Sequence, residues 1–424
     1  MPEGSATALR EAIATAMPER PFNLEFWDGS RIDATAPGPT ISFRSPAAIR
    51  HVLRAPGELG LGRAYVTGEL DVDDLDGIIA LLGVWSPQLS AADKARIGAA
   101  SLRAAGLKRP PPPPAAELKP RGKRHTKAYD SETVRHHYDV SNDFFELFLD
   151  ESMTYSCAYF ADGIETLEEA QFAKLDLVCR KLELEPGMRL LDIGCGWGSL
   201  AAHAAREYGA SVLGITLSPP QAELARKRVA DAGLSDRVEI RVLDYRDLGA
   251  EKFDAVSSIG MIEHVGGNQI DEYASVIARV LGPDGRVLNH GITYTKPEVH
   301  IGDEFSERYV FPGGEIPPIS RVLLAFERAG LETLHAENLR GDYAETLRHW
   351  AERLDRDPER AERIAGAERL RVWRLYLRAA RNSFETAQTG LFQTLLGQPI
   401  RQPANGAVER RSSGWQLRPE RSPA

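Results

Sequence analysis

Residues 188–200, MRLLDIGCGWGSL, constrain the fold more than any other stretch of the chain. A short apolar run, Leu190-Leu191-Asp192-Ile193, reads as a buried parallel strand. It leads into Gly194-Cys195-Gly196-Trp197-Gly198, and a helical pattern, SLAAHAAREYG, follows at once. Strand, glycine turn and helix in that order is how an open α/β sheet brings backbone close to a nucleotide-like ligand. Gly194 and Gly196 permit the tight turn because neither carries a Cβ. Asp192, at the strand tip, can anchor a cationic group.

The alternation continues downstream. SVLGITL makes a second strand, PPQAELARKRVADAG a helix opened by prolines, and VEIRVLD a third strand. FDAVSSIG is the fourth strand, IDEYASVIARVL the next helix and GRVLNHGIT the fifth strand. RVLLAFERAG and the charged stretch over 343–386 read as helices, and LFQTLLGQ as a last strand. Repeated strand–helix units of this length predict an α/β fold with a doubly wound, mostly parallel sheet.

A chain of 424 residues is longer than one typical domain. Residues 1–20 read as a flexible lead-in. Residues 21–85 read as a small N-terminal α+β domain, with an Asp28-Gly29 hairpin signal between apolar runs. Residues 86–127 read as a helical, proline-rich and basic linker, 128–399 as the α/β domain, and 400–424 as a disordered tail. The consecutive prolines Pro110 to Pro114 favour an extended segment. Arg103, Lys108, Arg109, Lys119, Arg121, Lys123, Arg124 and Lys127 lie around them. Such a stretch suits either a solvated linker or a contact with anionic lipid headgroups.

The formal charge of −9 argues against nucleic acid as a partner. The three cysteines, Cys157, Cys179 and Cys195, include no CxxC pair, so neither a disulfide framework nor structural zinc is expected. The His136-His137 pair has no third ligand at a suitable spacing, so no metal is expected. The N-terminal residues hold no sustained apolar core, and the run over 78–85 is too short to span a bilayer. The expectation is a cytoplasmic protein whose contact with the membrane is peripheral.

The ligand at the glycine turn is not expected to be a dinucleotide. That would call for an acid at the tip of the second strand, where Thr216-Leu217-Ser218 stand, with Gln221 just beyond. The third strand ends instead in Asp244-Tyr245-Arg246-Asp247, where an aromatic ring could cover an adenine face. This points to S-adenosylmethionine.

The block YDVSNDFFELFLDESMTYSCAYF, the turn LDIGCGWGSLA, the segment GITLSPPQ, the run MIEHVG and the tract FPGG carry a resemblance. In that order they resemble the cyclopropane-fatty-acyl-phospholipid synthase family, which includes mycolic acid cyclopropane synthases and relatives forming methylene- or methyl-branched acyl chains. The likeness covers roughly 126–399, and GELGLGRAYVTGELD resembles the extra N-terminal domain of longer members. It implies a class I methyltransferase with a seven-stranded, mostly parallel, Rossmann-like sheet over 128–399. S-adenosylmethionine is then expected to meet Tyr155 and Ser156 at its charged end, and Asp192, Gly194, Gly196 and Gly198 at the turn. Thr216 and Gln221 are expected at its ribose, with Tyr245, Arg246 and Ile262 around its adenine.

The resemblance also implies chemistry. A cis olefin of an acyl chain takes the methyl group, leaving a carbocation whose deprotonation closes a cyclopropane ring or gives a methylene branch. The implied base is a bicarbonate ion, held at Cys157, Glu263, His290 and Tyr343 and by the backbone at Ile292. Tyr309, Phe311 and Tyr343 are expected to steady the cation with their π faces, a role that for Tyr309 and Phe311 rests on residue type and not on the resemblance. Taken singly, Cys157, His290 and Tyr343 would read as core residues, and Glu263-His264 as a helix cap. The implied partners are unsaturated phospholipid acyl chains, a reductase if the product is a methylene branch, and a second copy in a homodimer. A small-metabolite methyltransferase and a lipid-binding scaffold with a relic ligand site stand as alternatives.

Overall fold

The computed structural model describes residues 5–118, 122–138, 141–296 and 304–399. The tail expected over 400–424 lies outside them, as do Lys119 and Arg121; of His136 and His137 only their place in the helix Lys127–Tyr138 is described. The chain divides into two compact units. One is Met1–Lys119 with Gly302–Pro312 and Leu354–Asn382, and the other is Pro120–Ile301 with Gly313–Arg353 and Ser383–Ala424.

The first unit carries a four-stranded sheet of β1 (Asn23–Glu25), β2 (Arg31–Ile32), β3 (Thr40–Phe43) and β4 (Leu70–Val72), ordered β2-β1-β3-β4. The hairpin expected at Asp28-Gly29 joins β1 to β2, with Asp28 Oδ1 accepting the Ser30 N–H at 3.0 Å. The lead-in differs from expectation. Residues Thr7–Ala16 form a helix, because Leu9, Ala12 and Ile13 fall on one face and bury beside Phe22, Leu24 and Phe26. The helix Ala91–Ala105 sends Ala100, Ala104 and Ala105 into the same core, so the first part of the expected linker is packed interior.

Two later segments complete this unit. Arg63 and Glu117 form a buried bidentate ion pair at 2.6 Å, and the Tyr309 hydroxyl donates to Glu117 at 3.2 Å. The Arg371 guanidinium lies 4.0 Å from the Tyr65 ring centre and bonds the Leu70 carbonyl at 2.8 Å. Arg378 bonds Asp76 at 3.0 Å and Asp355 at 2.7 Å. These arginines recur at helical spacing on Ala367–Glu385, which is why residues 354–382 group with the N-terminal unit and not with 128–399.

The second unit holds a seven-stranded sheet. Its strands are β5 (Arg189–Ile193), β6 (Ser211–Thr216), β7 (Val238–Val242), β8 (Phe253–Ile259), β9 (Leu281–Tyr294), β10 (Glu332–Asn338) and β11 (Thr389–Gly397). The order is β10-β11-β9-β8-β5-β6-β7. The five strands β5 to β9 pair in parallel, while β11 lies antiparallel to both β9 and β10. Consecutive residues of β5 enter opposite cores: Leu190 packs with Val178, Leu200 and Val212, and Leu191 with Val256, Ile277 and Phe326. Burial on both faces explains the unbroken apolar run. The strand β10 was not among those expected, because ETLHAEN is an edge strand with little of its surface fully buried. Strand order reverses at β5, which places a crevice at the carboxyl ends of β5 and β8.

Candidate active site

Three segments build the crevice: the glycine turn after β5, the end of β6 and the turn after β7. A pocket there is lined by Tyr155, Ser156, Asp192, Gly194, Gly196, Thr216, Gln221, Tyr245 and Arg246, among others. Gly194 has φ +78°, and a Cβ on it would sit 2.6 Å from Met261 Cγ and Sδ. Its N–H and that of Cys195 both donate to the Ile215 carbonyl at 2.9 Å, which ties the turn to β6. Thr216 Oγ1 donates to Gln221 Oε1 at 2.8 Å, so the two candidate ribose residues hold each other. Ser218 caps the helix that Pro219 opens.

Asp192 is buried and accepts the Ser257 hydroxyl at 2.8 Å. Burial raises its pKa to about 6, opposed by Ser257 and by Lys174. Lys174 also lines the pocket, is 1% exposed, and donates to Ser156 Oγ at 2.7 Å. Burial lowers its pKa to about 8. Sequence reasoning missed this lysine. Its signal is positional: Gln171, Lys174 and Lys181 share helical spacing with the buried Ala170 and Val178 of the helix Leu167–Lys181.

Some expected ligand contacts take a different form. Gly198 and Ile262 are not among the pocket's lining residues. Gly198 instead caps the helix Ser199–Tyr208 at φ +82°. Ile262 is core, and its Cγ2 would meet a Cβ placed on Gly291. Arg246 lines the pocket while its guanidinium bonds Asp244 at 2.6 Å and Asp130 at 2.9 Å. Tyr245 is buried edge-on to Tyr273.

The five residues expected around an anion lie on the antiparallel side of the sheet, and backbone links bring them together. Leu339 is the hub. Its carbonyl accepts Tyr343 N–H at 3.0 Å and lies 3.8 Å from Cys157 Sγ, and its N–H donates to Leu391 at 2.8 Å. Leu391 sits opposite Ile292 in the ladder. The Ile292 N–H, beyond the end of β8, donates to Glu263 Oε1 at 2.6 Å. That N–H therefore positions Glu263. His290 accepts at Nδ1 from Gln393 at 3.2 Å. The Cys157 loop is clamped on the helix Arg340–Leu354, where Ala158 N–H donates to Thr346 at 3.0 Å and Phe160 N–H to Asp342 at 2.8 Å.

Two buried polar atoms here, Glu263 Oε2 and His290 Nε2, have no hydrogen-bond partner among the described residues. Burial raises the Glu263 pKa to about 7, opposed by the Ile292 N–H. Burial, with Lys174 and Lys181 nearby, pushes His290 well below its usual range and keeps it neutral. The Cys157 thiol is pushed up, first by burial and then by Asp342. The Trp350 ring joins the two regions, 5.1 Å from Tyr155 and 6.1 Å from Tyr343.

Tyr309 and Phe311 are both held in aromatic packing. The contacts described for them lie within the first unit: Tyr309 stacks obliquely on Phe305 and bonds Glu117, and Phe311 meets the edge of Tyr376. A buried carboxylate already claims the tyrosine hydroxyl. Among the described residues no cluster of histidine, cysteine or carboxylate groups could hold a metal ion, and no helix is long and apolar enough to cross a membrane.

A family model described as mycolic acid cyclopropane synthetase matches residues 125–394. The chain is 40% identical over 386 residues to a probable fatty acid methyltransferase of Pseudomonas putida, covering 89% of this chain and 92% of that one. It is 36% identical over 377 residues to the cyclopropane-fatty-acyl-phospholipid synthase of Escherichia coli K12, covering 88% and 91%. The crystal structure of mycolic acid cyclopropane synthase CmaA1 complexed with SAH and CTAB superposes with a TM-score of 0.61 at 34% identity, over 63% of this chain and 98% of that one.

Proposed function

The chain belongs to the mycolic acid cyclopropane synthetase family, and from that premise we propose that it converts the cis double bond of an unsaturated phospholipid acyl chain into a cyclopropane. It is an S-adenosylmethionine-dependent methyltransferase of fatty acyl chains. When bound, S-adenosylmethionine supplies an electrophilic methyl group, and the acyl olefin that receives it is left cationic at the adjacent carbon. Ring closure then needs a base beside a cation in a dry pocket, a role that bound bicarbonate supplies.

The observation that carries this reading is the pair of orphaned polar atoms, Glu263 Oε2 and His290 Nε2. One acceptor and one donor suit an anion that offers both an oxygen and an O–H, as bicarbonate does. Glu263, with a pKa of about 7, is matched to holding or passing a proton at neutral pH. Cys157 and Tyr343 close the same cluster. In the pocket, Asp192 and Lys174 lie where the charged end of the cofactor is expected, and the glycine turn meets its backbone side.

Membrane contact is proposed to be peripheral. Leu107 is fully exposed and Leu102 largely so, beside Arg103, Lys108 and Arg109. Each cation near an anionic surface contributes about 1 kcal/mol.

A methylene branch, saturated by a separate reductase, is the second reading. It is favoured by the likeness to the tuberculostearic acid methyltransferase UfaA1 of Mycobacterium tuberculosis, 31% identical over 414 residues. The test is expression in a host that makes oleoyl phospholipid but lacks cyclopropane synthase, fed methionine labelled in its methyl group. Mass spectrometry should find a labelled one-carbon gain on the acyl chains, and mild hydrogenation separates ring from exomethylene. Label in a soluble metabolite with unchanged acyl chains would overturn the proposal.

A further inference from the structure

We propose that Lys181 and Gln393 are positioning residues that lock His290 in the tautomer carrying its proton on Nε2, so that it presents an N–H donor to the anion. The inference deepens the bicarbonate reading and rests on it for the identity of the ligand. Three residues form a row across the sheet: Glu337 on β10 is opposite Gln393 on β11, and Gln393 is opposite His290 on β9. Directly opposed residues place their side chains on the same face. Lys181 reaches this row from the last turn of the helix Leu167–Lys181, with no exposed surface.

The hydrogen-bond chemistry leaves one solution. The Lys181 ammonium has three donors and no acceptor. It bonds Glu337 Oε2 at 2.5 Å and also meets the side-chain amide of Gln393. The amide atom facing it must therefore be oxygen, which fixes a group whose two ends are otherwise interchangeable. The amide NH2 then points the other way and lies 3.2 Å from His290 Nδ1. An NH2 group only donates, so Nδ1 must accept with its lone pair. In a neutral imidazole the proton then resides on Nε2, the buried atom without a protein partner.

The arrangement resembles how an outer hydrogen bond sets the tautomer of a ligating histidine, where losing the partner costs about 10–100-fold. It also complements Glu263. One ring N–H on β9 and one carboxylate oxygen on the turn after β8 are both buried and unpaired among the described residues, and a simple halide would satisfy only the first.

Gln393→Glu tests the lock while preserving shape. It places an oxygen against Nδ1, which then requires a proton there. Nitrogen-15 NMR of histidine-labelled protein, with His290 assigned by loss of its signal in His290→Asn, reads the tautomer directly. Wild type is expected to show a protonated Nε2 and an unprotonated Nδ1. Gln393→Glu should move the proton to Nδ1 or charge the ring, and lower kcat about 10–100-fold with the KM for S-adenosylmethionine unchanged. Lys181→Met, which frees the amide to rotate, should show both tautomers. A wild-type ring protonated at Nδ1, or an unchanged ring signal in Gln393→Glu, would overturn the lock. Titration of bicarbonate separates the two ideas. A fixed tautomer whose Nε2 signal ignores bicarbonate upholds the lock and removes the bicarbonate reading.

Discussion

The two halves of the large sheet solve different problems. On the parallel side, β5, β6 and β7 frame a pocket with a glycine turn, two N–H groups tied to Ile215, and side chains that brace one another, such as Thr216 with Gln221. On the antiparallel side, β9, β10 and β11 carry polar side chains inside the core: His290, Gln393 and Glu337 in one row, with Lys181 laid across it. Backbone recognition suits a cofactor shared by many reactions. Proton handling needs particular side chains held in one protonation state. The contrast is between a pocket ordered by chain geometry and a buried network of polar side chains.

Three experiments bear on that division. The largest effect is expected from Glu263→Gln, which removes the carboxylate of the antiparallel side while keeping an oxygen that can still accept the Ile292 N–H. Turnover should fall about 10²–10⁴-fold, and calorimetric affinity for S-adenosylhomocysteine should stay at the wild-type value. Equal losses of both would show that the halves are not separable.

Gly194→Ala probes the other side. Its φ of +78° costs an alanine about 1–2 kcal/mol, and the new Cβ collides with Met261. Cofactor affinity should drop at least about tenfold, measured by the same calorimetry. The companion change Met261→Ala should recover part of the loss, because it removes the clash and leaves the backbone strain. Full recovery would assign the whole effect to packing.

The smallest expected effect is a pH dependence confined to the binding half. Asp192 has its pKa raised from 3.8 to about 6, chiefly by burial, and only its ionised form attracts a cation. Affinity for S-adenosylmethionine should weaken by up to about tenfold per pH unit below 6, and Asp192→Asn should flatten that slope. The sign for stability is opposite. The folded state holds this proton more tightly than the unfolded chain, so the contribution is present below 3.8 and lost as pH rises through 6. A slope that survives in Asp192→Asn would assign the titration to another group.

How much of this was legible beforehand varied with the kind of interaction. The strands β5 and β6 and the glycine turn stood out as short apolar runs punctuated by turn residues, because burial on both faces leaves few polar positions, whereas in β7 buried Val238 and Ile240 alternate with exposed Glu239 and Arg241. The helix Thr7–Ala16 was passed over although Leu9, Ala12 and Ile13 form a stripe, since alanine-rich text carries a weak apolar signal. The edge strand β10 hid behind its polar composition. Cys157, Glu263, His290, Ile292 and Tyr343 were legible only through resemblance, and the bond from the Ile292 N–H to Glu263 came only with the fold. The bond between Tyr309 and Glu117 was not legible, because the two lie 192 residues apart.

Local order along the chain was enough to establish the α/β architecture, the position of the cofactor turn and the family. Those features depend on periodicity and on residues within a few positions of one another. Which charges are buried, which atoms of Glu263 and His290 are left unpaired, and how Lys181 orients Gln393 came only with folding. Each depends on side chains from β9, β11 and a distant helix meeting in a space where water is excluded. There, an unmatched donor or acceptor is costly enough to dictate the state of its neighbours.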